Sequence, residues 1–323
     1  MHVLITGGAG FIGSHLADRL IANDDQVLVL DDLSTGSMSN IEHLIDEAGF
    51  KYRIGSVTDV PLVTELVDMC DVTVHLAAAV GVQLIIEQPT KTIETNVRGT
   101  EVVLGAAAGK KKLCVVASTS EVYGKSTNER FSEEDDVTLG PTTHTRWAYA
   151  CSKALDEWLA LAYSREKGLP VIVVRFFNTV GPRQIGRYGM VLPRFAVQAL
   201  ANEPITVFGT GEQARCFCHV ADSVEALMRL IRSPDAVGQV VNVGNDEETT
   251  ISALAERIRE VVGSESPIER IPYDVAYAEG FEDMQRRVPD VSRLQRLTGF
   301  RPTTTLDQII HDVVEDKRGL TAG

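Results

Sequence analysis

The stretch that decides the fold is Val3-Leu4-Ile5-Thr6-Gly7-Gly8-Ala9-Gly10-Phe11-Ile12-Gly13. Val3–Thr6 is a short β-branched and apolar run, the composition of a strand buried on both faces. Ile12–Ala22 has helical spacing of its apolar residues. Between them Gly8, Gly10 and Gly13 form a Gly-x-Gly-x-x-Gly turn. Glycines let the backbone turn sharply and come close to a ligand. The helix N-terminus that follows offers free N–H groups and a partial positive charge, which suits a pyrophosphate.

Working outward, Gln26–Asp32 reads as the next strand and ends on Asp31 and Asp32. A carboxylate there hydrogen-bonds a ribose diol and repels a 2′-phosphate, so the pattern favours NAD over NADP. Further buried strands read over 72–78, 113–119 and 171–177. Helical patterns over Asn96–Ala108 and Ala148–Glu166 lie between them. This alternation predicts an α/β protein with a doubly wound parallel sheet and right-handed crossovers. After residue 178 the texture changes to Gly- and Pro-rich turns, short strands in ITVFG and VVNVG, and a helix over Ile251–Val262. The expected division is a dinucleotide-binding domain over 1–178 and a smaller substrate-binding α/β lobe over 179–323, with an interleaved boundary.

The 323 residues are enough to bury a core without disulfide or metal staples. With 31 Lys+Arg against 45 Asp+Glu, the net charge of −14 argues against nucleic acid as the main partner. The start of the chain has no basic, signal-like segment, and no apolar run reaches the ~20 residues of a membrane span. A cytoplasmic protein with no membrane partner is therefore expected. Five irregularly spaced cysteines argue against a disulfide framework. No metal is expected at Cys216-Phe217-Cys218, whose spacing reads as alternation on a strand.

Tyr149 and Lys153, in YACSK, stand four apart and so share one helix face. A phenol ionises near pH ~10, and a neighbouring ammonium brings it toward the working range of an acid/base. Ser118-Thr119-Ser120-Glu121 follows strand 113–119, and strand C-termini face the ligand crevice in open α/β sheets. Thr119 is placed to donate to a substrate oxygen there. Glu121 is placed to act as acid/base or to position the substrate.

These residues together resemble the extended short-chain dehydrogenase/reductases that act on nucleotide sugars, a family with a Rossmann-type fold. The resemblance runs along the chain through TGGAGFIG (6–13), HLAA (75–78), TNVRGT (95–100), STSEVYG (118–124), YACSK, FFNTVGPR (176–183), ITVFGTGEQAR (205–215) and VNVGN (241–245). It implies that NAD is held at Gly7, Gly10, Phe11, Ile12 and Gly13, at Asp31 and Asp32, at Leu76 and Ala77, and by Asn96, Tyr149 and Lys153. It implies a nucleotide-diphosphate sugar, with a UDP-sugar favoured, at Asn178, Val191, Thr206, Phe208, Arg215 and Arg287. It further implies a catalytic set of Thr119, Glu121, Tyr149, Lys153 and Arg287, and a homodimer built on the helices near 96–108 and 148–166. Trp147, Trp158 and Leu159 are candidates for that interface or for the core.

The triplet Thr119-Ser120-Glu121 and Arg287 in QRRVPD resemble the UDP-glucuronic acid decarboxylases. A planar guanidinium suits bidentate recognition of a carboxylate. Decarboxylation of UDP-glucuronic acid through a 4-keto intermediate is thus expected, giving a UDP-4-keto-pentose or UDP-xylose. The stretches 78–89 and 277–290 depart from the decarboxylase pattern, and Ser56 stands where many members have Asp near adenine. A 4-epimerase of a UDP-sugar or UDP-uronic acid, or a 4,6-dehydratase, stays open on these residues.

Overall fold

A computed structural model describes residues 1–81, 88–185, 190–276, 284 and 286–321. Parts of the two departing stretches, 82–87 and 277–283 with 285, lie outside the described residues.

The strands in chain order are β1 (His2–Thr6), β2 (Gln26–Asp31), β3 (Phe50–Ile54), β4 (Val72–His75), β5 (Leu113–Thr119), β6 (Val171–Phe176) and β7 (Thr179–Val180). They continue as β8 (Ile205–Phe208), β9 (Ala214–Cys216), β10 (Cys218–His219), β11 (Val240–Val243), β12 (Glu248–Thr250), β13 (Ile268–Ile271) and β14 (Arg286–Arg287). Seven of these form one sheet in the order β11-β6-β5-β4-β1-β2-β3, every pair parallel. Strand order reverses between β1 and β4, and such a switch point opens a crevice at the strand C-termini.

The main helices are α1 (Phe11–Ile21), α2 (Val60–Asp68), α3 (Pro89–Lys110), α4 (Arg146–Lys167), α5 (Val191–Leu200), α6 (Val220–Ile231) and α7 (Ile251–Val262), with short helices at Tyr273–Ala276 and Ser292–Thr298. The helix Leu306–Thr321 closes the described chain. On one face of the sheet, Leu16 and Leu20 of α1 and Leu227 and Leu230 of α6 pack with Val3, Ile5, Val29 and Val74. On the other, Val63 and Leu66 of α2, Val103 and Leu104 of α3 and Ala160 of α4 cover Leu4, Leu30, Val116 and Val173. A separate core serves the lobe: Leu192 and Phe195, Ile205 and Val207, Leu254 and Ile258, Ile309 and Val313.

The sequence reading needs three corrections here. VVNVG was placed in the lobe, yet β11 is an edge strand of the large sheet, paired in parallel with β6. Its Val241 and Val243 are fully buried, and Asn242 is tied down on both sides. Asn242 Oδ1 accepts from Tyr123 Oη at 2.7 Å, and its Nδ2 donates to the Phe131 carbonyl at 2.8 Å. The lobe boundary at 178 is therefore crossed repeatedly downstream, since the short helix Ser292–Thr298 also returns to the large sheet, with Leu294 in the core beside Val241 and Val243. Next, Cys216 and Cys218 do not alternate along one strand. They sit on β9 and β10, and Phe217 between them is buried as well. Finally, β3 and α2 had no counterpart in the reading. FKYRI carries Lys and Arg and is an edge strand with mostly exposed side chains, so it lacks the apolar run that marked its neighbours.

Candidate active site

A cleft of about 490 Å³ lies at the C-terminal ends of β1, β4, β5 and β6, with the lobe as its far wall. The glycine turn forms its floor. Gly7 has φ +73°, and a Cβ there would lie 2.7 Å from Ala77 N. A Cβ on Gly13 would come within 2.3 Å of the Gly7 carbonyl oxygen. Gly10 caps α1 without a side-chain hydrogen bond, so the first-turn N–H groups face the cleft uncapped. We expect Gly13→Ala to cut NAD affinity by more than an order of magnitude and to lower the melting temperature. Calorimetric titration and a thermal melt check both effects, and parental values would show that the turn can yield.

Asp31 anchors this turn rather than standing free beside it. Its Oδ2 accepts from Ala9 N at 2.9 Å and its Oδ1 from Leu33 N at 2.8 Å. Burial pushes its carboxyl above the ordinary range, and the Leu33 and Ala9 N–H groups pull it back. Each oxygen keeps a second lone pair for a ribose hydroxyl. Asp32, Phe11, Ile12, Leu76 and Ala77 also line the cleft. This cradle fits a dinucleotide diphosphate: glycine where a Cβ would fill the space, a helix N-terminus, and acids at the ribose position.

Asn96 is a correction. It is 1% exposed and does not line the cleft. Its Oδ1 accepts from Ala79 N at 2.8 Å and its Nδ2 donates to Ser152 Oγ at 3.2 Å. It pins the chain after β4, through Ala79, to α4, through Ser152.

At the end of β5, Thr119 closes the strand, and its Oγ1 accepts from Glu121 N at 3.2 Å. Its O–H is left to donate into the cleft. Tyr149 and Lys153 line the same wall from α4. Lys153 Nζ donates to Asp156 Oδ2 at 2.7 Å. Arg287 Nη1 donates to Glu121 Oε1 at 2.6 Å, with side chains only 10% and 12% exposed. On the lobe, Arg287 of β14 sits in register with Arg215 of β9, and both side chains line the cleft. Arg215 thus adds a positive charge to a cleft wall where the charge of Arg287 is already met by Glu121.

On the substrate side, Asn178, Val191 and Phe208 line the cleft. Asn178 has φ +35° and its Nδ2 donates to the Cys216 carbonyl at 2.8 Å. Thr206 is the second correction: it is not among the residues lining the cleft, and its Oγ1 accepts from Gln198 Nε2 at 3.0 Å. Its carbonyl instead accepts from Arg194 Nη2 at 3.1 Å, and the Arg194 guanidinium lies 4.0 Å from the centre of the Phe208 ring. Arg194, Gln213 and Tyr273 are cleft residues that the sequence reading missed. Gln213 Nε2 bridges the Phe208 carbonyl at 2.9 Å and Tyr273 Oη at 2.8 Å. No spacing rule marks such residues; an arginine early in a helix is ordinary until the strand facing it is known.

Behind Thr119 lies a second missed cluster. Ser118 Oγ donates to Glu157 Oε1. Arg175 grips both oxygens of Glu157, through Nε at 2.9 Å and Nη2 at 2.7 Å. This buried, bidentate pair fixes β6 against α4, and the Ser118 hydrogen bond ties the end of β5 to it.

A parallel sheet with a glycine turn under an acid-closed second strand, and a Tyr–Lys pair across the cleft, defines a dinucleotide-dependent enzyme of the doubly wound α/β type. The chain belongs to the NAD dependent epimerase/dehydratase family, whose sequence profile matches residues 3–244. It is 40% identical over 313 residues to a UDP-N-acetyl-alpha-D-glucosaminuronate decarboxylase of Bacillus cytotoxicus, covering 97% of this chain and 96% of that one. It is 37% identical to UDP-glucuronic acid decarboxylase 1 of Xenopus tropicalis, over 97% of this chain and 71% of that one. Among solved structures it is similar to a UDP-glucuronic acid 4-epimerase of Bacillus cereus in complex with UDP-glucuronic acid and NAD. The TM-score there is 0.87 at 26% identity, covering 99% of this chain and 100% of that one.

Proposed function

We propose that the protein is an NAD-dependent decarboxylase of UDP-glucuronic acid, working through a 4-keto intermediate. The observation that supports this is the Glu121–Arg287 pair, which lines the same cleft as Thr119, Tyr149 and Lys153 and offers a guanidinium to a uronate carboxylate. The two decarboxylases of UDP-uronates, similar over nearly the whole chain, support the reading.

In this reading NAD, when bound, accepts a hydride from C4 of the sugar and can return it. Tyr149 as phenolate takes the C4 hydroxyl proton, and Lys153 stabilises that phenolate and holds the nicotinamide ribose. The ketone stands β to the C6 carboxylate. The C5–C6 bond breaks, CO2 leaves, and the electron pair moves onto the C4 oxygen. Thr119 and protonated Tyr149 donate to that oxyanion. Arg287 orients the carboxylate before it departs, and Glu121 holds Arg287 and manages the proton that C5 gains. The product is a UDP-4-keto-pentose or, after hydride return, UDP-xylose. Arg215, Arg194 and Phe208 form the nucleotide-diphosphate side.

The test is incubation with UDP-glucuronic acid and NAD, read by mass spectrometry. A product lighter by CO2, for UDP-xylose, or by CO2 and two hydrogens, for the 4-keto-pentose, is expected. An epimerised hexuronate of unchanged mass would overturn the proposal in favour of 4-epimerisation. A second reading has its own support: the relative at 40% identity acts, by its name, on a 2-acetamido uronate. UDP-N-acetylglucosaminuronate in a parallel assay decides between the two by relative kcat/KM.

We also propose a cytoplasmic homodimer formed through α3 and α4. Trp158 and Leu155 of α4 and Ile93 of α3 are exposed at 59%, 45% and 44%, which supports that face. Trp147 is only 4% exposed and belongs to the core of its own subunit. Among the described residues no helix is long and apolar enough to cross a membrane.

A further inference from the structure

Asp156 has no part in the chemistry above, yet it holds the Lys153 ammonium. The two side chains are 0% and 3% exposed, and Oδ2 lies 2.7 Å from Nζ. Among the described residues, Asp156 Oδ1 makes no full hydrogen bond, and the Thr100 hydroxyl of α3 is the neutral group that favours the ionised carboxylate. Thr100 Oγ1 lies 3.1 Å from His75 Nε2, and His75 Nδ1 lies 2.7 Å from Thr6 Oγ1. Thr6 immediately precedes Gly7. A buried hydrogen-bonded chain thus runs from the residue before the glycine turn to Thr100, next to the Lys153–Asp156 pair.

Burial pushes the Asp156 carboxyl up, and the Lys153 charge pulls it back. Burial pushes His75 down to about 3, helped by Lys153, so the imidazole is neutral. The other charges facing this spot are already paired. Glu157 of α4 is taken by Arg175 of β6, and Glu121 after β5 by Arg287 of β14.

We propose that Asp156 is a positioning residue that anchors the Lys153 ammonium and sets how much of its charge Tyr149 feels. Its part in turnover rests on the function proposed above. With the carboxylate in place, Tyr149 faces an ion pair, whose field falls off faster than that of a lone cation. Asp156→Asn keeps the shape and removes the negative charge. The uncompensated ammonium then favours the anionic phenolate, so the phenol titrates at lower pH.

The test is an ultraviolet difference titration of the full-length protein. The signal of Tyr149 is isolated by subtracting a Tyr149→Phe partner in each background. In Asp156→Asn the phenolate forms about one pH unit lower than in the parent. In Asp156→Glu it forms at the parental pH. Thr100→Val removes only the hydroxyl that helps keep Asp156 ionised, and gives a smaller shift in the same direction. The acidic limb of kcat/KM against pH moves with the phenol. Parental titration in both Asp156→Asn and Thr100→Val overturns the proposal; if Asp156→Asn does not fold, Thr100→Val decides alone. The titration uses no substrate, so a protein that leaves UDP-glucuronic acid unchanged refutes the proposed function without deciding this inference.

Discussion

Tyr149→Phe is expected to lower kcat on the UDP-uronate by about 10²–10⁴-fold, the range that a positioned general acid/base contributes. The loss should fall on kcat and kcat/KM together, because the phenolic oxygen acts on the C4 proton and on the oxyanion that follows. NAD affinity should hold, since the cradle is made by Gly7, Gly10, Gly13 and Asp31 and the ring itself stays. Single-turnover absorbance of the reduced nicotinamide separates the cases. The variant should show no accumulation of it at all. Turnover near the parental rate would remove Tyr149 from the chemistry.

The second large effect is at Arg287. Arg287→Leu strands the Glu121 carboxylate in a site where it is only 12% exposed. Breaking one side of a buried pair costs about 3–5 kcal/mol, because a charge is left without compensation. A matching fall in unfolding free energy is expected in urea. Activity on a uronate should fall as well, with KM rising more than for a neutral UDP-sugar. The double variant Glu121→Gln/Arg287→Leu tells the two roles apart: stability should largely return, and decarboxylation should not. Full recovery of activity in the double variant would show that Arg287 serves only as the counter-ion of Glu121.

The sheet was legible because its central strands are buried on both faces and so spell continuous apolar runs, as in 113–117 and 171–174. The glycine turn was legible because backbone geometry there tolerates only one residue type. Tyr149, Lys153 and Thr119 could be placed because helix spacing and strand ends fix them locally. What stayed hidden depends on contacts far apart in sequence. Thr206 and Asn96 have motif positions, but their side chains are spent on Gln198 and on Ala79 and Ser152. Arg175 and Glu157 read as unrelated charges until β6 and α4 meet. VVNVG looked like the lobe's short strands because four residues cannot announce which sheet they join.

That last strand bears on how such enzymes can be recombined. The polypeptide leaves the large sheet after β6, builds β7 to β10 and α5, and comes back as α6 and β11 before leaving again for α7. A substrate lobe exchanged as a single cassette from residue 179 onward would carry a foreign edge strand into the host sheet, with a foreign α6 against the host α1. A grafting scheme that respects the weave keeps 220–243 and 292–300 with the host, because Leu294, Leu297 and Phe300 pack into the core of the large sheet. It takes 179–219, 244–291 and 301–323 from the donor, so that specificity travels while the host keeps its own cofactor scaffold.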